Sequence, residues 1–268
     1  MSVFSFIAFF LYIISGVFYF IHFFTEKKGI AKAGFYIISF GFGFHTIALV
    51  LRSLESGHAP FANMYESLSF FAWSSVLAFM VIDKKFKISK AAPYFILMVM
   101  MFMALASSPL MPKEATPLVP ALQSYWLWLH VSVTIVGEAF FAGGFVLSVL
   151  YLVVLAKEKR GKRSVFSAEH LDLISYKCIS IGFPLFTLGG LVFGMIWAYK
   201  AWGAYWSWDP KEVWSLITWM IFALYLHTRV VMKWKGVRSA LIAIIGFLSA
   251  LFTYFGVNYL LSGLHSYT

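Results

Sequence analysis

Eight apolar stretches follow one another along the chain, near residues 3–24, 33–52, 64–82, 91–107, 128–156, 175–199, 213–230 and 239–260. Each approaches the roughly 20 residues that a helix needs to cross a bilayer. The segments between them are loops, none large enough to form a soluble domain. Charged residues make up 12% of the chain and hydrophobic ones 61%, whereas an average soluble chain carries roughly 25% charged residues. The pattern predicts an all-α, polytopic integral membrane protein of about eight transmembrane helices, with residues 1–268 as a single membrane domain. The first stretch has no basic segment before it and no clear cleavage site, which reads as a retained helix and not a signal peptide.

The net charge of +10 would suggest nucleic acid on a soluble domain, but here its location decides its meaning. The connections at 25–32, 83–90 and 157–177, with the segment 229–238, hold 17 of the 21 Lys and Arg residues. Arg52, Lys113, Lys200 and Lys211 lie on the other side. Positive residues collect on the cytoplasmic face, so both termini and the connections at 53–63, 108–127 and 200–212 are expected to face outward. No nucleic-acid partner is expected. The one cysteine, Cys178, falls within an apolar stretch and reads as a packing residue. A Cys-x-x-Cys-His heme-attachment signature is absent, so the chain is not itself a c-type cytochrome.

Three connecting features stand out. Pro109, Pro112, Pro117 and Pro120 exclude a long helix between residues 107 and 123, where a compact outer cap is expected. Gly190 and Gly194 have the small-x-x-x-small spacing that lets helices approach closely. The most informative segment is Trp202-Gly-Ala-Tyr-Trp-Ser-Trp-Asp-Pro-Lys-Glu-Val-Trp214, with four Trp and one Tyr in 13 residues. An interfacial aromatic belt does not explain that density among Gly203, Asp209, Lys211 and Glu212. Asp209 as cap, Pro210 in the first turn and Glu212 near the positive helix end make a good helix start. The rings before it could stack on a flat, apolar macrocycle.

This segment, continuing through Ser215-Leu-Ile-Thr-Trp219, resembles the tryptophan-rich signature of heme-handling cytochrome c assembly proteins. Within them the chain is most similar to the CcsA (ResC) family of the system II pathway. The similarity extends to Leu224-Tyr-Leu-His-Thr-Arg229, Gly256–Tyr267, Ser56-Gly-His-Ala-Pro60, Asn63-Met-Tyr-Glu-Ser67 and Trp126-Leu-Trp-Leu-His-Val131. It therefore covers the chain from about residue 52 onward. CcmC, which has fewer spans, and CcmF, which is far longer, share a tryptophan-rich loop but fit the continuation less well.

Seven histidines occur, and position must separate ligands from structural residues. His130 at the outer start of the fifth stretch and His265 beyond the eighth both reach the level of the tryptophan loop, although spacing does not establish that they converge. The resemblance implies that they are the two axial ligands of heme, heme b in this reading, held there with Trp202, Trp206, Trp208, Asp209 and Trp214. His227 lies 15 residues beyond Glu212, roughly 22 Å deeper, so it belongs to another site. The resemblance implies an inner heme site completed by a CcsB (ResB)-type partner; His22, at similar depth, is a competing counterpart. His22, His45 and His58 are assigned no ligand role, and hydrogen bonds are expected for most of them. His170 reads as a solvated surface residue. Glu138, about 12 Å below His130, could line a passage for heme or fix the bundle.

The resemblance implies a subunit of a cytochrome c synthase complex of the heme lyase type. It would carry heme across the membrane and present it for thioether attachment to the Cys-x-x-Cys-His segment of apocytochrome c. Trp202, Trp206, Trp208 and Trp214 would form the platform, Asp209 and Glu212 would fix the loop, and Lys211 could meet a propionate. Other readings are a heme exporter or carrier without synthase activity and a transporter of another planar or anionic solute. The expected location is a bacterial cytoplasmic (inner) membrane, with the thylakoid membrane as the alternative.

Overall fold

The computed structural model describes residues 2–109, 111, 113–114 and 122–261. Among the described residues there are eight helices long and apolar enough to cross a membrane and no strand. They are α1 (Val3–Thr25), α2 (Lys28–Ser56), α3 (Met64–Phe86), α4 (Ser89–Ser107), α5 (Tyr125–Glu158), α6 (Ala168–Trp202), α7 (Pro210–Val230) and α8 (Val237–Leu260). Every stretch read from the sequence is one of these helices, and the protein is a polytopic, all-α membrane protein. Several helices outrun their apolar windows: α2 begins at Lys28 instead of near 33, and α6 at Ala168 instead of near 175. Lys28, Lys32 and Glu169 fall in these extensions, and long charged side chains are good helix formers.

The chain forms two compact units, Met1–Leu122 and Gln123–Thr268. In the first, α1 packs along α2 and α4, and α3 packs along α4. The α2–α3 connection is built around a buried ion pair. Arg52 Nε donates to Glu66 Oε1 at 2.8 Å, and Glu66 Oε2 accepts from the Ala62 amide at 2.9 Å. Asn63 caps α3 by accepting from the Glu66 amide. The segment after α4 folds back onto this connection: Arg52 Nη2 donates to the Lys113 carbonyl at 2.9 Å and Asn63 Nδ2 to that of Glu114 at 3.3 Å. The cap expected over 107–123 otherwise rests on Pro112, Pro117 and Pro120, which lie outside the described residues.

Three histidines of this unit have structural partners, as expected. Buried His45 bonds Tyr12 Oη through Nδ1 (3.3 Å) and Ser69 Oγ through Nε2 (3.0 Å). His22 bonds the Lys27 carbonyl (3.1 Å) and Ser89 Oγ (3.3 Å). His58 Nδ1 donates to the Ala59 carbonyl. With both nitrogens engaged, His22 is a poor counterpart for a metal held elsewhere. Near it, the Lys90 ammonium, 2.7 Å away, holds the Glu26 carboxyl below its usual range.

In the second unit α5 packs along α6 and α8, and Phe141 of α5 stacks on Phe222 of α7 at 3.7 Å. A Cβ on Gly182 of α6 would lie 2.7 Å from the Gly137 carbonyl of α5, so the two backbones meet there directly. Two helices change pitch. In α6, Thr187–Phe193 is π-helical; in α8, Phe252–Gly256 is. A π turn carries an extra residue, which matters for both faces below.

At the other end of this unit, Arg229 of α7 donates to both carboxylate oxygens of Asp172 on α6, at 2.8 and 2.9 Å. Asp172 also accepts from the Gly236 amide in the α7–α8 turn. One buried carboxylate thus joins three elements. Asp172→Ala is expected to cost about 3–5 kcal/mol by stranding the Arg229 charge, read as a lowered thermal midpoint of the detergent-purified protein. A change below about 1 kcal/mol would mean that solvent already screens the pair.

Candidate functional site

The tryptophan-rich connection is held by its own backbone chemistry. Gly203 ends α6 in the left-handed region at φ 79°, a conformation that favours glycine. Asp209 caps α7 by accepting from the Lys211 amide at 3.0 Å. Glu212 reaches back to accept from the amides of Ser207 (2.7 Å) and Asp209 (3.3 Å), completing a capping box with Pro210 in the first turn. The helix start read from the sequence is therefore present. Trp208, just before the cap, also sits in the left-handed region at φ 60° and is 72% exposed. Such a conformation costs a bulky residue on the order of 1–3 kcal/mol.

His130 lies in the second turn of α5. Its Nδ1 is 2.8 Å from the Gly189 carbonyl in the π-helical part of α6. A carbonyl only accepts, so Nδ1 carries the proton, and in the neutral ring the lone pair lies on Nε2, the tautomer that presents Nε2 to a metal. The imidazole is parallel to buried Trp197, 9° between planes at 5.7 Å, and Trp202 meets Trp197 edge-on at 4.8 Å. His130 is thus part of an aromatic wall that runs into the tryptophan loop. The other rings group separately: Trp206 with Trp208 (5.8 Å), Tyr199 with Tyr205 (4.4 Å), and Trp214 with Phe252 of the second π segment (4.3 Å).

The close helix contact expected at Gly190 lies one residue earlier. Gly194 does face α5, where an added Cβ would come within 3.0 Å of the His130 ring. Gly190 does not; its Cβ would meet Phe186 of its own helix. The residue pressed against α5 is Gly189, whose Cβ would strike the Thr134 backbone. Gly189 and Gly194 are five apart, and the extra residue of the π segment keeps both on the same face. Trp197 also escaped the sequence reading. Its signal was available as an aromatic residue three after Gly194, hence on the same face.

His227 is exposed near the end of α7 remote from the loop, on one face with exposed Met220, Leu224 and Val231. The structure does not bring it to the tryptophan loop. His265 lies outside the described residues. Lys211 does not extend as a loose surface cation: its Nζ donates to Asn258 Oδ1 of α8 at 3.0 Å. Glu138 is buried in α5.

Fold and site together define a polytopic membrane protein with an aromatic-walled imidazole at one end of a four-helix unit. Residues 61–265 match the family model described as cytochrome C assembly protein. The chain belongs to the cytochrome c assembly protein family, and within it to the CcsA family, with a role in cytochrome c biogenesis. It is 44% identical over 230 residues to the cytochrome c biogenesis protein CcsA of Chlamydomonas reinhardtii, covering 82% of this chain and 64% of that one. With the CcsA proteins of Guillardia theta and Prochlorococcus marinus (strain MIT 9303) the identity is 40%; the matches cover 83% of this chain and 81% and 80% of those chains. The chain thus spans less than two thirds of the algal relative. Among solved structures, the cytochrome c heme lyase CcmF has the same fold, with a TM-score of 0.68 at 16% identity over 94% of this chain and 46% of CcmF.

Two substitutions separate loop strain from helix contact. Trp208→Gly is expected to keep or raise thermal stability, by up to about 1 kcal/mol. Gly189→Ala is expected to lower it by about 2 kcal/mol or more, because α5 and α6 must separate. Thermal unfolding in detergent checks both, and a destabilised Trp208→Gly would mean that the exposed ring, and not its backbone, holds the loop.

Proposed function

We propose that the protein carries heme across the membrane and presents it at the tryptophan-rich loop for thioether attachment to apocytochrome c. The observation that carries this reading is the tautomer-fixed imidazole of His130, backed by Trp197 and Trp202. A planar metallated ligand needs a lone-pair nitrogen and an aromatic wall, and these residues supply both. His265 is the second axial ligand in this proposal, and the bound species is heme b. Trp206, Trp208 and Trp214 extend the platform, while Asp209 and Glu212 hold its shape. Both termini and this loop face outward, consistent with the segregation of Lys and Arg.

His227 serves a second, inner heme site. Its exposed position on the lipid-facing stripe of α7 favours completion by a residue of another chain, here a CcsB-type membrane partner. The residues of the outer site bind, orient and shield the iron; they do not act as acid or base. In the attachment step the S–H bonds of the Cys-x-x-Cys-His segment add across the vinyl C=C bonds, so each sulfur gains a carbon and its proton ends on the neighbouring carbon. The cytochrome's own histidine then replaces one axial ligand. The membrane is a bacterial cytoplasmic or a thylakoid membrane.

The test is the visible spectrum of the protein purified with its partner, compared with the His130→Gly/His265→Gly variant. A reduced bis-imidazole spectrum is expected in the wild type, lost or shifted in the variant and regained with added imidazole. Unchanged heme in the variant would move the bound heme to another site, with His227→Gly as the next variant. A heme-free wild type would favour transport of a different planar or anionic solute. Thioether formation by the purified complex distinguishes a synthase from a carrier.

A further inference from the structure

Lys211 opens the helix that the tryptophan loop leads into, yet its ammonium turns inward. Its Nζ donates to Asn258 Oδ1 at 3.0 Å, and Asn258 is only 2% exposed. Asp209 in the loop cap and Glu138 of α5 are both buried. These residues come from the three segments of the proposed heme site. Glu138 is eight residues after His130, Lys211 lies within the loop, and Asn258 is seven residues before His265.

The pitch of α8 aims Asn258 at this point. Ser249 and Thr253 face α7 through Thr218, at 2.8 and 3.4 Å. Asn258 is five residues beyond Thr253, and in a regular helix five steps turn a side chain about 140° away from its starting face. The π-helical Phe252–Gly256 takes up the extra residue, so Asn258 meets Lys211 of α7 as well. Turning a cation inward onto a buried amide is costly, and an apolar contact would hold the bundle at less expense. A polar tie retained at such cost points to a need for one defined register.

Building on the heme reading above, we propose that Lys211 is a positioning residue of the outer site. Its bond to Asn258 fixes the end of α8 relative to the tryptophan loop at the start of α7.

The test uses spin labels at Ser207→Cys and Leu260→Cys, both exposed, with native Cys178 buried and left in place. Lys211→Met and Asn258→Leu are each expected to broaden the label-to-label distance distribution and to cut heme retention at least five-fold. Their combination should do no worse than the worse single variant. Asn258→Asp, which can keep the tie as an ion pair, should retain a narrow distribution and a near-wild-type heme spectrum. Narrow, unshifted distances in every variant would overturn the proposal; so would broadened distances with an unaltered heme spectrum and midpoint potential, or an Asn258→Asp variant as broad as Asn258→Leu. The distances are read without heme. A wild type that binds none would therefore remove the heme reading while the label distances still decide whether the tie exists.

Discussion

The backbone inside a bilayer has no water to bond, so every amide and carbonyl must find its partner within the protein. Helices meet that demand, and the rest of this architecture follows from how strictly they do so. The informative departures are the two π-helical segments, Thr187–Phe193 and Phe252–Gly256. Each lies in the half of its helix nearest the tryptophan loop. The first brings the Gly189 carbonyl to His130 and keeps Gly189 and Gly194 on one face. The second sets Phe252 against Trp214 and turns Asn258 toward Lys211. Helix regularity is thus given up where side chains need to be re-aimed, a use often found at functional sites.

Much of this was legible because lipid simplifies the code. Apolar length marks a span whatever its neighbours, so all eight helices could be read from residue type alone. The cap formed by Asp209, Pro210 and Glu212 was legible for a similar reason: its partners are two to five residues away in sequence. The register of α6 was not. A small-x-x-x-small spacing assumes α-helical pitch, and one inserted residue transfers the close contact from Gly190 to Gly189. No local signal marks that insertion, because it is stabilised by the fit of α6 against α5. The Lys211–Asn258 bond was missed on the same ground, because it depends on a face that only the true pitch defines.

The histidines show how hydrogen bonding sorts residues of one type. His22 and His45 have both ring nitrogens engaged with oxygen atoms of their own unit. Each is thereby oriented for packing, and freeing a nitrogen for a metal would break a bond with little water nearby to replace it. His130, like His22, has a backbone carbonyl at Nδ1, but its ring also lies parallel to Trp197. A carbonyl at Nδ1 fixes the proton there and leaves Nε2 as the basic nitrogen, which raises its capacity as a ligand. The parallel Trp197 ring restricts rotation of the imidazole, so less entropy remains to be lost when a ligand binds.

His130 and His227 then pose different physical problems. His130 is walled by Trp197, the α6 backbone and the tryptophan loop, so its unit already supplies much of the shielding that a reactive iron requires. His227 stands exposed among Met220, Leu224 and Val231, a surface that lipid covers as readily as protein. Lipid tails neither ligate iron nor bond an imidazole. A metal at His227 would therefore need its opposite face, and its protection, from another protein surface. The asymmetry fits the proposed direction of transport: an entry site shared between chains can open as they move apart, whereas a presentation site must hold its cargo in one orientation until the acceptor's thiols and histidine arrive.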